Sequence, residues 1–225
     1  MKFAIIPARG GSKRIPRKNI KPFFGQPMIA WSIKAAISSG CFDRVIVSTD
    51  DSEIAQIARD YGAETPFVRP VDLSDDYTAS TEVVRHAVEW LFINGFDVEA
   101  ACCIYATAPF ITPELIQQSY VSMISQKKSY AFTVVSYDYP VQRAITLDEN
   151  GNIEMLYPEY RDTRSQDLKE AWHDAGQLYW GLGEAWMERR PIFSQYSAPV
   201  VIPRYLAQDI DTEEDWRQAE RLYQL

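Results

Sequence analysis

The residues best equipped for chemistry come early, in the stretch PARGGSKRIPRKNIKPFFGQP that begins at Pro7. It gathers six cations (Arg9, Lys13, Arg14, Arg17, Lys18 and Lys21) around the adjacent Gly10 and Gly11, without one carboxylate. Glycine permits close backbone approach, so amide N–H groups can meet phosphate oxygens while Arg9, Lys13 and Lys18 supply countercharge. The chemistry indicated is polyphosphate binding. Neither GxxxxGK(S/T) nor GxGxxG occurs here, which disfavours a P-loop ATPase and a dinucleotide enzyme. A solvated basic loop turned by Gly-Gly is the plainer alternative, but six cations with no intervening acid repel one another unless an anion is present.

A second constellation lies in AQDIDTEEDW, near the other end of the chain. In an extended segment side chains alternate, so Asp209 and Asp211 project to one face and Ile210 to the other, which sets two hard oxygen ligands side by side. Mg²⁺ (or Mn²⁺) takes one or two carboxylates and completes its shell with phosphate oxygens and water. Thr212 to Asp215 spells a capping box, and a helix start accounts for Glu213, Glu214 and Asp215 but not for the pair before the cap.

The bulk properties bound the class. A chain of 225 residues with 46% hydrophobic residues and net charge −8 suits one globular domain. From Met1 to Cys41 there are eight Lys or Arg and no Asp or Glu, so the remainder carries −16 by subtraction. A local basic site on an acidic protein fits a small anion better than a long nucleic acid, which would want an extended basic face. No apolar run approaches the roughly 20 residues of a membrane span, and MKFAIIPARG lacks the features of a signal peptide, so a cytoplasmic location without membrane attachment is expected. Cys41, Cys102 and Cys103 show no CxxC spacing and read as packing residues rather than a disulfide or zinc framework.

Short β-type runs alternate with helical patterns, and these are the elements that must position both constellations. KFAIIP, RVIVST, AACCIYA and SYAFTVVS read as strands; PMIAWSIKAAISSG, DSEIAQIARDYG, STEVVRHAVEWLFING and TPELIQQSYVSMIS read as helices, with Gly40, Gly62, Thr112 and Pro113 as boundary signals. This βαβα order predicts an α/β sandwich with a largely parallel sheet. The basic loop then falls at the carboxyl edge of strand one, where open α/β sheets bind ligands. The segment 137–172 changes texture, rich in Tyr, Pro and charge with an Asn150-Gly151 hairpin signal. It reads as an excursion within a single 1–225 domain, too short and too polar to bury its own core. GQLYWGL, APVVIP and a helix from Thr212 return to the core.

ARGGSKRIPRKNIKP, followed in order by FDRVIVSTDD, VRP, DDYTAST and DIDTEED, resembles the CMP-sialic acid synthetase (acylneuraminate cytidylyltransferase) family over nearly the whole chain. Several long motifs in order are far more specific than one. CIYATAPF and HDAGQLYW resemble the branch that activates pseudaminic acid, a bacterial nine-carbon 2-keto sugar acid. The resemblance implies a three-layer Rossmann-like nucleotidyltransferase sandwich that joins CTP to such an acid, giving CMP-sugar and pyrophosphate for bacterial surface glycan or flagellin glycosylation. It also implies Mg²⁺ and a homodimer in which the excursion reaches the partner.

Carried over residue by residue, the family pattern assigns Arg9, Gly10, Gly11, Ser12, Lys13 and Lys18 to the CTP phosphates. Asn19, Arg69 and Ser80 fall on the nucleoside side, and Asp209 and Asp211 on the metal. Ser80 is equally a candidate helix N-cap. Where sialate-activating relatives carry Gln-Pro-Thr-Ser-Pro, this chain has Tyr105 to Pro109; where they carry Arg-Pro-Asn-Gly, it has His173-Asp174-Ala175-Gly176-Gln177. The sugar is therefore expected at Tyr105, Thr107, Asp174 and Gln177, with Arg164 matching the family arginine that pairs with its carboxylate and Arg143 near a basic family position on the same side. His173 is a base or a structural hydrogen-bonder. CMP-N-acetylneuraminate or CMP-legionaminate synthesis is the alternative within enzymes, and keto-deoxyoctulosonate activation a more distant one. A non-catalytic anion-binding module is the alternative outside them.

Overall fold

The computed structural model describes residues 1–224. The strands are β1 (Lys2–Pro7), β2 (Pro22–Phe23), β3 (Gln26–Pro27), β4 (Arg44–Ser48), β5 (Ala100–Ile104), β6 (Tyr130–Ser136), β7 (Ile145–Leu147), β8 (Ile153–Met155), β9 (Trp172–Leu182) and β10 (Ser197–Val201). The α-helices are α1 (Met28–Ser38), α2 (Ser52–Asp60), α3 (Ser80–Ile93), α4 (Pro113–Ser125), α5 (Gly183–Met187) and α6 (Glu213–Tyr223). Six strands form the central sheet in the order β10-β6-β9-β5-β1-β4. Five run parallel, while β9 lies antiparallel between β6 and β5. The expected largely parallel α/β sandwich is therefore observed.

Alternation along each strand sends side chains to two buried faces, so the strands read as continuous apolar runs. Ile6, Val47 and Cys102 pack with Ile29 and Ile33 of α1, Ile54 of α2 and Ile116 of α4 on one face. On the other, Phe3, Ile5 and Cys103 pack with Val84, Ala87 and Leu91 of α3 and Trp186 of α5. Cys102 and Cys103 are buried, one on each face, and all three cysteines are unpaired, as packing residues should be. Helix starts follow their sequence signals. Asp51 accepts from the backbone N–H groups of Glu53 and Ile54, Thr112 caps Leu115, and Thr212 with Asp215 closes a reciprocal capping box.

A third, smaller core of Ile15, Phe23, Met28, Ile210, Trp216 and Ala219 clamps the basic loop against α6. Ile15 is the apolar residue inside the cationic run, and its complete burial fixes the loop's course. Ile210 does the same for the acidic segment.

The excursion behaves differently. Between β6 and β9 the chain forms the small β7–β8 pair and short 3₁₀ turns, and among the described residues none from Ser136 to Asp174 is buried. The Asn150-Gly151 signal sits in the five-residue loop joining β7 to β8, where Gly151 adopts φ +80° and the Asp148 carboxylate accepts from the N–H groups of Asn150 and Asn152. The returning strand begins at Trp172, earlier than its apolar run at Gly176 indicates, because an irregularity in the β6–β9 register absorbs extra residues between Asp174 and Tyr179. Gly176, at φ +65°, supplies the left-handed residue this bend requires.

Candidate active site

At the carboxyl edge of the sheet the loops after β1, β4 and β5 open onto a cleft of about 430 Å³. Its lining includes Arg9, Ser12, Lys13, Arg14, Lys18 and Asn19 of the basic loop, Asp211 of the acidic segment, and Arg69, Asp75, Asp76, Thr78, Ser80, Tyr105 and Thr107 from the loops between them. Residues from both ends of the chain thus converge on one space.

Each of the six loop cations meets an acid from a distant segment. Arg9 and Lys13 pair with Asp76, Arg14 and Lys18 with Asp211, Arg17 with Asp51 and Glu53, and Lys21 with Glu213. The expectation that the cations must repel unless an anion is bound is corrected accordingly: the compensating carboxylates are present, but far away in sequence. The pairs divide by place. Arg17 and Lys21 stand outside the cleft and brace the loop, whereas Arg9, Lys13, Arg14 and Lys18 line it.

Local geometry holds the loop open. Gly10 N–H donates to Asp50 Oδ1 at 3.0 Å, and a Cβ at this position would fall 2.6 Å from Asp51 Oδ2, so this residue is kept small by the β4–α2 turn. No such constraint acts at Gly11. Asn19 is buried and donates from Nδ2 to the Arg9 carbonyl at 3.0 Å, tying the two ends of the loop together. Asp51, bonded by Arg17 and by two helix N–H groups, has its pKa lowered, chiefly by the Arg17 hydrogen bond.

Arg69 is buried against Ser48, donating to its hydroxyl at 3.2 Å and to its carbonyl. Burial lowers its pKa to about 10, with Asp50 opposing and Arg9 adding to the fall. It remains a cation whose desolvation an anionic neighbour would relieve.

At the acidic segment, Lys18 Nζ donates to the Ile210 carbonyl at 2.5 Å and pairs with Asp211 at 3.1 Å, while Arg14 reaches Asp211 at 2.7 Å. The alternation expected of Asp209, Ile210 and Asp211 is present: Ile210 is fully buried and its two neighbours are not. Asp209 sits beside Gly176 of β9. Crowding by protein atoms raises its pKa first, and the charge of Asp211 adds to this, so the two carboxylates are close enough to repel. Among the described residues no group of three or more His, Cys, Asp or Glu gathers as a metal cage. A hard cation here would draw on two carboxylates at most and take its other ligands from phosphate and water, the arrangement Mg²⁺ accepts.

The remaining candidates separate. Tyr105 and Thr107 line the cleft. Ser80 is the first residue of α3, not its cap: Ala79 holds the cap position, and the Ser80 hydroxyl instead shares a 3.0 Å hydrogen bond with Tyr105. Tyr179 donates to Asp174 at 2.5 Å, and Asp174 also accepts from Gly176 N–H at 2.9 Å. Gln177 is fully buried, its Nε2 donating to the Leu206 carbonyl and its Oε1 unpartnered, so its side chain holds the Leu206 backbone and does not line the cleft. His173 is exposed, with Nδ1 against the Asp174 carbonyl. Arg143 and Arg164 stay within the excursion. Arg143 donates to the carbonyls of Arg161 and Thr163, Arg164 pairs with Asp167 at 2.7 Å, and neither lines this chain's cleft.

Sequence reasoning missed Arg14 and Asp76 as cleft residues, although both lie inside quoted motifs. It also missed a hollow of about 100 Å³ that adjoins the cleft at Ser80 and Tyr105 and is walled by Cys103, Tyr179, Trp186, Ile192 and Phe193. Cys103 and Tyr179 read as residues of buried strands, and Trp186, Ile192 and Phe193 lie in no motif of the sequence.

A mostly parallel α/β sheet whose carboxyl edge joins a basic Gly-Gly loop to a carboxylate pair is the architecture of a nucleotidyltransferase. Residues 3–224 match the family model described as cytidylyltransferase, and the chain belongs to that family. It is 47% identical over 223 residues to a pseudaminic acid cytidylyltransferase of Campylobacter jejuni, covering 99% of this chain and 96% of the relative. A CMP-N,N'-diacetyllegionaminic acid synthase of Legionella pneumophila is 31% identical, with the same coverage. The fold also superposes on a CMP:2-keto-3-deoxy-manno-octonic acid synthetase complexed with CTP, with TM-score 0.71, 16% identity and coverage of 99% and 98%. The protein is thus an enzyme of the nucleotidyltransferase class, and the anion-binding module without turnover is set aside.

Proposed function

We propose that the enzyme activates pseudaminic acid with CTP, releasing CMP-pseudaminic acid and pyrophosphate for bacterial surface glycan synthesis, in the cytoplasm where CTP is available. The observation that carries this reading is the 47% identity, over nearly all of both chains, to the Campylobacter jejuni pseudaminic acid cytidylyltransferase. The anomeric C2 hydroxyl attacks the α-phosphorus in line with the pyrophosphate leaving group, and no covalent enzyme intermediate is required. Such transfers rest on positioning and charge stabilisation.

Arg9, Lys13 and Lys18 take up the triphosphate charge, with the backbone from Gly10 to Ser12 toward its oxygens. Asn19, Arg69 and Ser80 stand at the nucleoside side. Asp209 and Asp211 would hold Mg²⁺ (or Mn²⁺), which supplies Lewis-acid neutralisation of phosphate charge. The mutual repulsion of the pair and its neighbouring Lys18 and Arg14 suit a site that trades intrachain partners for a cation and phosphates.

Tyr105 and Thr107 face the sugar. The hydroxyls of Tyr105 and Tyr179 are engaged by Ser80 and Asp174, so this end presents mainly aromatic surface. Pseudaminate, with its methyl-terminated tail and additional acylamino group, matches that surface better than the hydroxyl-rich N-acetylneuraminate. Each hydroxyl left unpaired costs on the order of 1–3 kcal/mol, or roughly tenfold to a hundredfold in rate. The active species is a homodimer, supported by the exposed Ile145, Leu147, Ile153, Leu156 and Trp172 of the excursion. In it, Arg143 and Arg164 serve the sugar carboxylate of the partner's cleft. The test is pyrophosphate release across a panel of nonulosonic acids with CTP and with UTP. The expected outcome is a specificity constant at least tenfold higher for pseudaminate than for N-acetylneuraminate, with CTP preferred. A ratio near one overturns the sugar assignment, and equal turnover with UTP overturns the base assignment.

A further inference from the structure

Asp76 has no part in the reaction as written above, yet it sits among the cations meant for the triphosphate. Its Oδ1 lies 2.6 Å from Arg9 Nη1 and its Oδ2 pairs with Lys13 Nζ. The preceding Asp75 carbonyl accepts from the same Arg9 nitrogen at 2.6 Å, so the 75–76 segment is drawn onto the basic loop from across the cleft. The other acids of this segment are placed differently. The Asp75 carboxylate accepts from Tyr77 N–H, Thr78 N–H and the Thr78 hydroxyl, which closes a turn. Among the described residues the Asp72 carboxylate pairs with no cation. Of the three acids in this segment, only Asp76 offers its two anionic oxygens to two cleft cations, the same demand that a phosphate group makes of an Arg and a Lys.

We propose that Asp76 is an internal counter-anion, exchanged for triphosphate oxygens when CTP binds and restored to Arg9 and Lys13 as pyrophosphate departs. The inference rests on the CTP reading of the cleft. In the free enzyme the carboxylate holds two long side chains in place and relieves their repulsion. In the product complex it competes with pyrophosphate for the same two cations and so favours release. Asp211 faces Arg14 and Lys18 in a comparable way, but it belongs to the candidate metal pair and cannot be removed without disabling the site.

The experiment compares wild type, Asp76→Asn and Asp72→Asn by calorimetric titration with CTP and with pyrophosphate in magnesium-free buffer, together with pyrophosphate inhibition of turnover. Asp72→Asn removes one charge from the same segment without touching Arg9 or Lys13. Asp76→Asn is expected to bind both ligands about threefold to tenfold more tightly, the scale of losing a pair of exposed ionic competitors, and to be inhibited by pyrophosphate at correspondingly lower concentration. Asp72→Asn is expected to stay within about twofold of wild type. Equal tightening in both variants, or unchanged or weaker binding by Asp76→Asn, overturns the exchange while wild-type CTP binding keeps the cytidylyltransferase reading intact. A wild type that binds neither CTP nor pyrophosphate overturns both.

Discussion

The loop after β1 and the excursion after β6 leave the sheet at the same edge, yet they are secured in different ways. The loop is pinned within its own chain: Ile15 is buried against α6, Asn19 ties its ends, and Arg17 and Lys21 brace it to Asp51, Glu53 and Glu213. The excursion contributes nothing to a core. Its arginines bond to nearby turns, and its apolar side chains face outward. A triphosphate needs preorganised charge, which one chain can build from distant acids and two buried anchors. The surface proposed to meet a second copy offers exposed apolar area instead.

The comparison can be broken most severely at the acidic segment of the cleft. Asp211→Asn is expected to lower kcat/KM by about a hundredfold or more, with the melting temperature nearly unchanged, because the side chain serves charge and not packing. Pyrophosphate release and calorimetry check this; near-normal rates in Mg²⁺ would remove Asp211 from the machinery. The excursion should respond in the opposite sense. The double variant Leu147→Asp, Ile153→Asp is expected to halve the mass seen by light scattering at micromolar concentration and to raise the KM for the sugar tenfold or more, since Arg143 and Arg164 are lost to the partner. CTP binding should stay within about twofold. A variant that remains dimeric, or a wild type that is monomeric, would end the division drawn here.

The smallest effect is expected at the loop's brace. Asp51→Asn should cost about 1 kcal/mol of stability near neutral pH, from the Arg17 ion pair, since asparagine keeps the N-cap hydrogen bonds to Glu53 and Ile54 N–H. The Asp51 pKa is depressed in the folded protein, so its contribution is complete above the ordinary carboxylate value and is lost as pH falls through the folded value. The stability gap between wild type and variant should therefore close in acid and stay constant from pH 5 to 7. A gap that widens in acid would contradict the pairing.

What was legible in the sequence follows the range of the interactions. Helices α2, α4 and α6 announced themselves because Asp51, Thr112 and Thr212 act on N–H groups two or three residues away. The strands were plain because both faces of the sheet are covered. The alternation across Asp209 to Asp211 was readable because Ile210 needed burial. The partners of the loop cations were not readable, since Asp76 and Asp211 are brought to Arg9 and Lys18 only by the fold. Ser80 misled for a related reason: its type suits a cap, but Tyr105, 25 positions on, claims its hydroxyl. Gln177 reads as a sugar contact by position in a motif, whereas the bend at Gly176 turns its amide into the interior against Leu206.

The reversed direction of β9 settles where the excursion begins and ends. Ser136 leaves the sheet opposite Trp172, and Val135 faces His173, so departure and return are hydrogen-bonded neighbours on adjacent strands. Whatever lies between them can lengthen, shorten or change its surface without disturbing any other strand pairing. A lineage built on this frame can therefore exchange the segment between β6 and β9 as a cassette while the other strand pairings are inherited unchanged.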